Sequence, residues 1–292
     1  MIFKSLARAL SPVAIINGMA HVERVRLIPA VSFAGDRQLD LYLPRRLDGP
    51  PPPAVIFYYG GGWDSGQRQM YRFVGAALAA KGLIAVIPDY RVYPEVGFPE
   101  FLRDAARAVR WAHDELGKFG GDPRRMVVVG HSAGAHIAAM LAFDRQWLGE
   151  VGLDPDADLR GVVGLSGPYD FLPLYSPTLK IIFGPEAGLA ATQPINFVDR
   201  PVLPTFLGMG TSDRVVDPAN SIQLAARIRS RGGDVRLKPY PRIGHELVIG
   251  AFGLPLRPLL PVLRDTVSFV KEVAGEPVTS PRLAGITEEQ MA

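Results

Sequence analysis

The sequence predicts an α/β domain in which a mostly parallel sheet carries helices on both faces. Three observations predict it. Continuous apolar runs such as "AVIFYY" (54–59) and "LIAVIP" (83–88) recur along the chain, as strands covered on both faces require. Helix-length amphipathic segments alternate with them, and strand–helix alternation means a parallel sheet. Finally, "VVVGHSAGAHIAAMLAF" (127–143) passes from β-branched to alanine-rich across one short corner.

In chain order, strands are predicted at 21–28 ("HVERVRLI"), 39–43, 54–59, 83–88, 126–131, 161–166, 203–209 and 234–240. The first two alternate apolar and polar residues, as strands wetted on one face do. Helices are predicted at 68–82, ending in Gly82, and at 100–120, where Leu102, Ala105, Ala106, Val109 and Ala112 share one face. A third spans 217–233, with Asp217 as cap, Pro218 in the first turn and Gly232 at the end; a fourth spans 259–273. The segment 167–202 is too long for an ordinary loop and too broken for one helix, which predicts a small lid or pocket wall. The proline run in 45–53 reads as a stiff surface turn, so the expectation is a single domain over 1–292.

The N-terminal stretch "MIFKSLARALSPVAIINGMA" has Lys4 and Arg8 ahead of an apolar run broken by Ser11, Pro12, Asn17 and Gly18. It reads as an amphipathic helix packed on the body, with 1–34 holding this helix and an edge strand; an export signal is the alternative. A cytoplasmic location is therefore expected, with an exported one as the second reading. No stretch approaches the roughly 18–20 unbroken apolar residues of a membrane span. The net charge of +3 is spread along the chain without a basic block, so neither nucleic acid nor stable membrane insertion is expected. A small-molecule substrate is the expected partner, and a homodimer is left open. The absence of cysteine excludes disulfides, thiolate metal sites and a cysteine nucleophile. No metal cluster or nucleotide loop is visible, so no cofactor is expected.

The corner at Gly130-His131-Ser132-Ala133-Gly134 is where chemistry is expected. A strand that becomes a helix within one residue forces that residue into strained angles, and flanking glycines remove the clashing Cβ atoms. Ser132 is then lifted clear of the sheet edge at a helix N-terminus. A serine hydroxyl needs a base, and the base needs an acid to orient it. A G-x-S-x-G corner of this kind resembles the α/β-hydrolase nucleophile, whose partners follow in the order acid, then histidine. Of five histidines, His245 in "YPRIGHEL" follows the last strand and is the candidate base. His21 and His113 read as solvated or packed, His131 as pointing away from the hydroxyl, and His136 as packing or lining a pocket. "GTSDRVVDPAN" offers Asp213 as the acid, with Asp217 as the fallback although its place before Pro218 suits a helix cap. Asp170 comes too early in strand order. "YYGGGW" (58–63) exposes backbone N–H groups after a central strand. Gly61 and Gly62, with Ala133, would form an oxyanion hole, each donor worth about 3 kcal/mol in the transition state. Trp63, Tyr93, Phe98, Tyr175 and Phe183 are the candidate substrate-binding walls.

Together "YYGGGW", "IPDYRVYPE" (87–95), "GGDPRRMVVVGHSAGAH" (120–136), "GTSD" (210–213) and "GHE" (244–246) resemble the α/β-hydrolase fold, over about residues 35–275. More narrowly, they resemble the bacterial esterase/lipase group related to hormone-sensitive lipase and kynurenine formamidase. The resemblance implies an eight-stranded sheet with one antiparallel strand, and hydrolysis of short-chain carboxylic esters through an acyl-enzyme. It departs from the group at Tyr59, where His-Gly-Gly-Gly is usual; the Tyr59 hydroxyl is expected to support the glycine loop in the histidine's place. Aryl (kynurenine) formamidase is the alternative activity, and a hydrolase-shaped binding protein is the reading from outside enzymology.

Overall fold

The computed structural model describes residues 16–20 and 22–275. Its strands are β1 (Arg26–Ala34), β2 (Arg37–Leu43), β3 (Ala54–Tyr58), β4 (Ile84–Pro88), β5 (Met126–His131), β6 (Gly161–Leu165), β7 (Thr205–Gly210) and β8 (Val235–Tyr240). They form one sheet in the order β1-β2-β4-β3-β5-β6-β7-β8. Strand β2 is antiparallel to both neighbours, and all pairings from β4 to β8 are parallel. The expectation of one antiparallel strand in an eight-stranded sheet therefore holds.

Every residue of β3 to β7 is buried, so both faces are covered. The main helices are α1 (Arg72–Ala79), α2 (Glu100–Glu115), α3 (Ala133–Phe143), α4 (Pro177–Phe183), α5 (Ala219–Ser230), α6 (His245–Gly250) and α7 (Val262–Val273). Helix α7 packs on α1, and α2 packs on α3. Helix α3 is buried all round, as a helix without a polar face must be. No described helix is long and apolar enough to cross a membrane.

The first strand departs from expectation. The strand predicted over 21–28 begins at Arg26 and runs to Ala34, with Val22–Arg24 in a 3₁₀ turn. Pairing decides this. A two-residue turn at Gly35-Asp36 sets Ala34 opposite Arg37, and β1 tolerates an irregularity between Ile28 and Val31 to keep its register with β2. The helix expected at the N-terminus lies outside the described residues except for a helical turn at 16–18, whose Ile16 is buried. His21 lies outside them too. Segment 167–202 forms α4 and two 3₁₀ turns, Glu186–Thr192 and Pro194–Phe197.

Candidate active site

Ser132 joins β5 directly to α3 with φ 56° and ψ −124°, a strained conformation for a residue with a side chain. Close packing explains the glycines. A Cβ on Gly134 would collide with the Tyr58 carbonyl, and one on Gly130 with Gly134 itself. The Ser132 N–H donates to the Leu165 carbonyl at 2.9 Å, which ties the corner to β6. While its neighbours His131 and Ala133 are buried, Ser132 is partly open to solvent.

His245 opens α6 just after β8, and Asp213 lies in the turn after β7. Backbone bonds join the two loops: the Thr211 N–H donates to Tyr240 and the Ser212 N–H to Ile243, both at 3.0 Å. The result is a hydrogen bond of 2.7 Å between His245 Nδ1 and Asp213 Oδ2. The Asp213 side chain is 1% exposed and that of His245 9%. The other carboxylate oxygen, Oδ1, accepts from the N–H groups of Val215 (2.9 Å) and Val216 (3.0 Å). Burial pushes the Asp213 carboxyl up, but the hydrogen bonds from His245, Val216 and Val215 outweigh it, so its pKa sits below the usual value. Such a carboxylate only accepts, so Nδ1 of His245 is the donor of this bond, and in the neutral ring the lone pair lies on Nε2. No hydrogen bond joins that imidazole to the Ser132 hydroxyl in this resting state. Catalytic hydrogen bonds are often open until substrate binds.

Asp217, the fallback acid, instead accepts from the Ala219 N–H at 2.9 Å and caps α5.

The glycine loop lies directly over the nucleophile: a Cβ on Gly60 would stand 3.0 Å from that of Ser132. Gly61 and Gly62 have φ of 142° and 62°, the first open to no other residue without collision with Ser65. The N–H groups of Gly61, Gly62 and Ala133 donate to no other group among the described residues. Tyr59 anchors this loop from beneath. Its ring stacks between Tyr90 (4.6 Å) and Tyr71 (5.4 Å), and its hydroxyl donates to Asp89 at 3.0 Å. The Tyr90 hydroxyl donates to the Tyr59 carbonyl at 2.6 Å. Asp89 also pairs with Arg68, which reaches on to Asp40 at 2.8 Å and Gln38 at 2.9 Å. Tyr59 thus supports the loop through its hydroxyl, as the sequence suggested; the Arg68 network behind it left no legible signal.

The aromatic candidates divide. Trp63 and Phe183 lie 4.8 Å apart between centroids, and Phe98 packs on Phe183 at 5.8 Å. Tyr93 is tied in by its N–H, which donates to the Trp63 carbonyl at 2.8 Å. Tyr175 is 85% exposed and has no ring contact, so the structure does not place it in this group. Its position between two prolines of an irregular segment leaves it outside the packing. Two members are new or sharper. Phe171 stacks on Trp63 at 5.8 Å, and its only sequence signal was its place just after β6. His136 is fully buried in the same group, 5.2 Å from Trp63, with Nε2 donating to the Thr192 carbonyl at 2.8 Å. Burial drives its pKa down to about 4, so it is neutral. His113 sits on α2 beside Asp114, half exposed. No cluster of metal-ligating side chains occurs among the described residues.

The site thus brings together a strained serine, a histidine–aspartate pair and three free N–H groups at the carboxyl edge of the sheet. The chain resembles proteins with ester-cleaving names. A probable isoprenylcysteine alpha-carbonyl methylesterase ICMEL1 of Oryza sativa subsp. japonica is 30% identical over 224 residues, 70% of this chain and 52% of that protein. Esterase LipC of Mycobacterium tuberculosis is 32% identical over 240 residues, 72% of this chain and 59% of that one. The chain therefore matches little more than half the length of these curated relatives. Among solved structures, an inhibited esterase B from Lactobacillus rhamnosis superposes with a TM-score of 0.78 at 19% identity, covering 94% of this chain and 95% of that one. Thermogutta terrifontis esterase 2 gives 0.69 at 22%, covering 87% and 96%. Those likenesses establish the α/β-hydrolase fold. The BD-FAE family model matches residues 39–228, well over half of the chain, from within β2 through β7. This chain belongs to the BD-FAE family of α/β-hydrolase proteins.

Proposed function

We propose that the chain is a serine carboxylesterase that cleaves short-chain carboxylic esters through an acyl-enzyme. The observation that carries this reading is the Asp213–His245 hydrogen bond of 2.7 Å, with the His245 ring packed on His131, the residue before the serine of the strained strand-to-helix corner. Ser132 Oγ attacks the ester carbonyl as His245 Nε2 takes its proton. Asp213 keeps the imidazole in the tautomer that can accept it and stabilises the imidazolium that results. The oxyanion takes hydrogen bonds from the N–H groups of Gly61, Gly62 and Ala133. His245 then returns the proton to the leaving alcohol, and water repeats the sequence on the acyl-enzyme.

Trp63, Phe98, Phe171 and Phe183 form the wall of the acyl pocket, with Tyr93 at its margin. Segment 167–202 acts as a small fixed lid, since α4 and Phe171 contribute two of these rings. The packed aromatic wall favours short acyl chains.

The test is turnover of p-nitrophenyl acetate and butyrate by the wild type and by Ser132→Ala. Cleavage is expected in the first and its loss in the second. Undiminished turnover in the variant ends the proposal. A parallel assay on N-formylkynurenine separates an esterase from a formamidase, which the same three side chains would serve.

A further inference from the structure

One titratable side chain lies between nucleophile and base and has no role in the chemistry above. It is His131, the residue before Ser132. Its ring lies against that of His245, with centroids 4.8 Å apart and planes at 43°. Its Nε2 is 3.2 Å from the His245 carbonyl oxygen. A carbonyl only accepts, so Nε2 carries the proton. Burial, aided by neighbouring His245, pushes the His131 pKa down to about 3, so the ring is neutral and Nδ1 bears a lone pair. Nδ1 is buried without a hydrogen-bond partner, and a Cβ on Gly60 would stand 3.1 Å from it. One imidazole therefore touches the glycine loop and the histidine loop while its own backbone carries the serine.

The topology leaves the spacing between base and nucleophile to contacts outside the Asp213–His245 pair. His245 follows β8 and Asp213 follows β7, whereas Ser132 ends β5, with β6 in between. The Asp213–His245 bond fixes one ring nitrogen but ties the imidazole only to the β7 side. Nothing in that bond sets how far the ring stands from β5, and the resting structure has no serine–histidine hydrogen bond to do so. We propose that His131 is a positioning residue: its Nε2–H holds the His245 carbonyl and its ring backs the His245 imidazole, which sets the base at working distance from the adjacent Ser132. The proposal rests on the esterase reading. Misplacing a reacting group by about 1 Å can cost on the order of 100-fold in rate, so a contact that sets this distance acts on kcat.

The test compares His131→Leu, which removes the donor, with His131→Gln, whose amide nitrogen reaches the place of Nε2. Active sites are counted with a fluorophosphonate probe, so that unfolded protein does not enter kcat. The expected result is a kcat lowered roughly 10- to 100-fold in His131→Leu with KM within about twofold, and recovery of most of that loss in His131→Gln. If the leucine variant does not fold, His131→Asn replaces it, because its shorter amide cannot reach the His245 carbonyl, and the same loss is expected. A kcat per active site equal to wild type in the donor-less variant overturns the proposal. So does a glutamine variant no better than leucine or asparagine, or a loss confined to KM. A wild type that cleaves no ester and takes no probe fails at the esterase reading itself, a result distinct from active wild type with active His131→Leu.

Discussion

Asp213→Asn separates the proposed acid from its neighbours more sharply than any other single change. The carboxylate makes three hydrogen bonds, two on Oδ1 from Val215 and Val216 and one on Oδ2 from His245. Asparagine retains the oxygen that the two backbone N–H groups need, so the loop survives. It places an NH₂ donor where His245 Nδ1–H requires an acceptor. The imidazole must then shift its proton to Nε2 and cannot accept one from Ser132. A wrong tautomer of this kind lowers kcat by about 10⁴-fold, or about 5 kcal/mol of activation free energy. The assay is p-nitrophenyl butyrate turnover normalised to folded protein, with Asp217→Ala in parallel. Asp217 caps α5, so its loss is expected to cost about 1 kcal/mol of stability and leave kcat unchanged. If Asp213→Asn stays within tenfold of wild type while Asp217→Ala is inactive, the assignment is refuted and the fallback is correct. The pH dependence gives a second reading. The Asp213 carboxyl has a depressed pKa in the folded state, so the ionised form contributes stability fully above the unfolded value of about 3.9. That contribution is lost as pH falls through the lower folded value. The Tm advantage of wild type over Asp213→Asn should therefore hold at neutral pH and shrink as pH falls below about 4.

Two more outcomes follow from the support of the site. Arg68→Met leaves Asp40 and Asp89 without their common cation; the Arg68 and Asp40 side chains are 8% and 4% exposed. Stranding a buried charge costs about 3–5 kcal/mol, so Tm should fall clearly in a thermal melt, and kcat should fall with it because Asp89 holds the Tyr59 hydroxyl under the glycine loop. An unchanged Tm would mean the network carries no weight. Phe183→Ala opens space beside Trp63, Phe98 and Phe171 at a cost of about 3–5 kcal/mol in stability. Across a p-nitrophenyl ester series, the ratio of hexanoate to acetate kcat/KM should rise; a constant ratio removes Phe183 from the acyl pocket.

Much of the fold was legible because its signals are local. Unbroken apolar runs located β3 to β7, and they needed no partner to reveal themselves, since a strand buried on both faces is apolar throughout. The edge was harder. Strand β1 is half-wetted and irregular, and its register is set by its turn to β2, so the alternation in 21–28 pointed several residues too early. The same division holds at the site. Ser132 stood out as a candidate from its corner, and His245 and Asp213 from their loops; the structure joins the latter two by a hydrogen bond. The packing of Phe171 on Trp63 had no distinguishing sequence signal because one aromatic residue in an irregular segment looks like any other, and Tyr175 was named as a candidate wall for the same reason, yet stands in solvent.

What the sequence alone determined, then, is the alternation of strands and helices and the chemical types at three loop ends, because these depend on neighbours within a few residues. What only the tertiary structure decided is how those ends meet. The 2.7 Å bond from His245 to Asp213, the Arg68 network beneath Tyr59 and the contact of His131 with His245 join residues 21 to 114 positions apart. Contacts of that span are made by strand order and loop packing, and no local pattern of side chains encodes them.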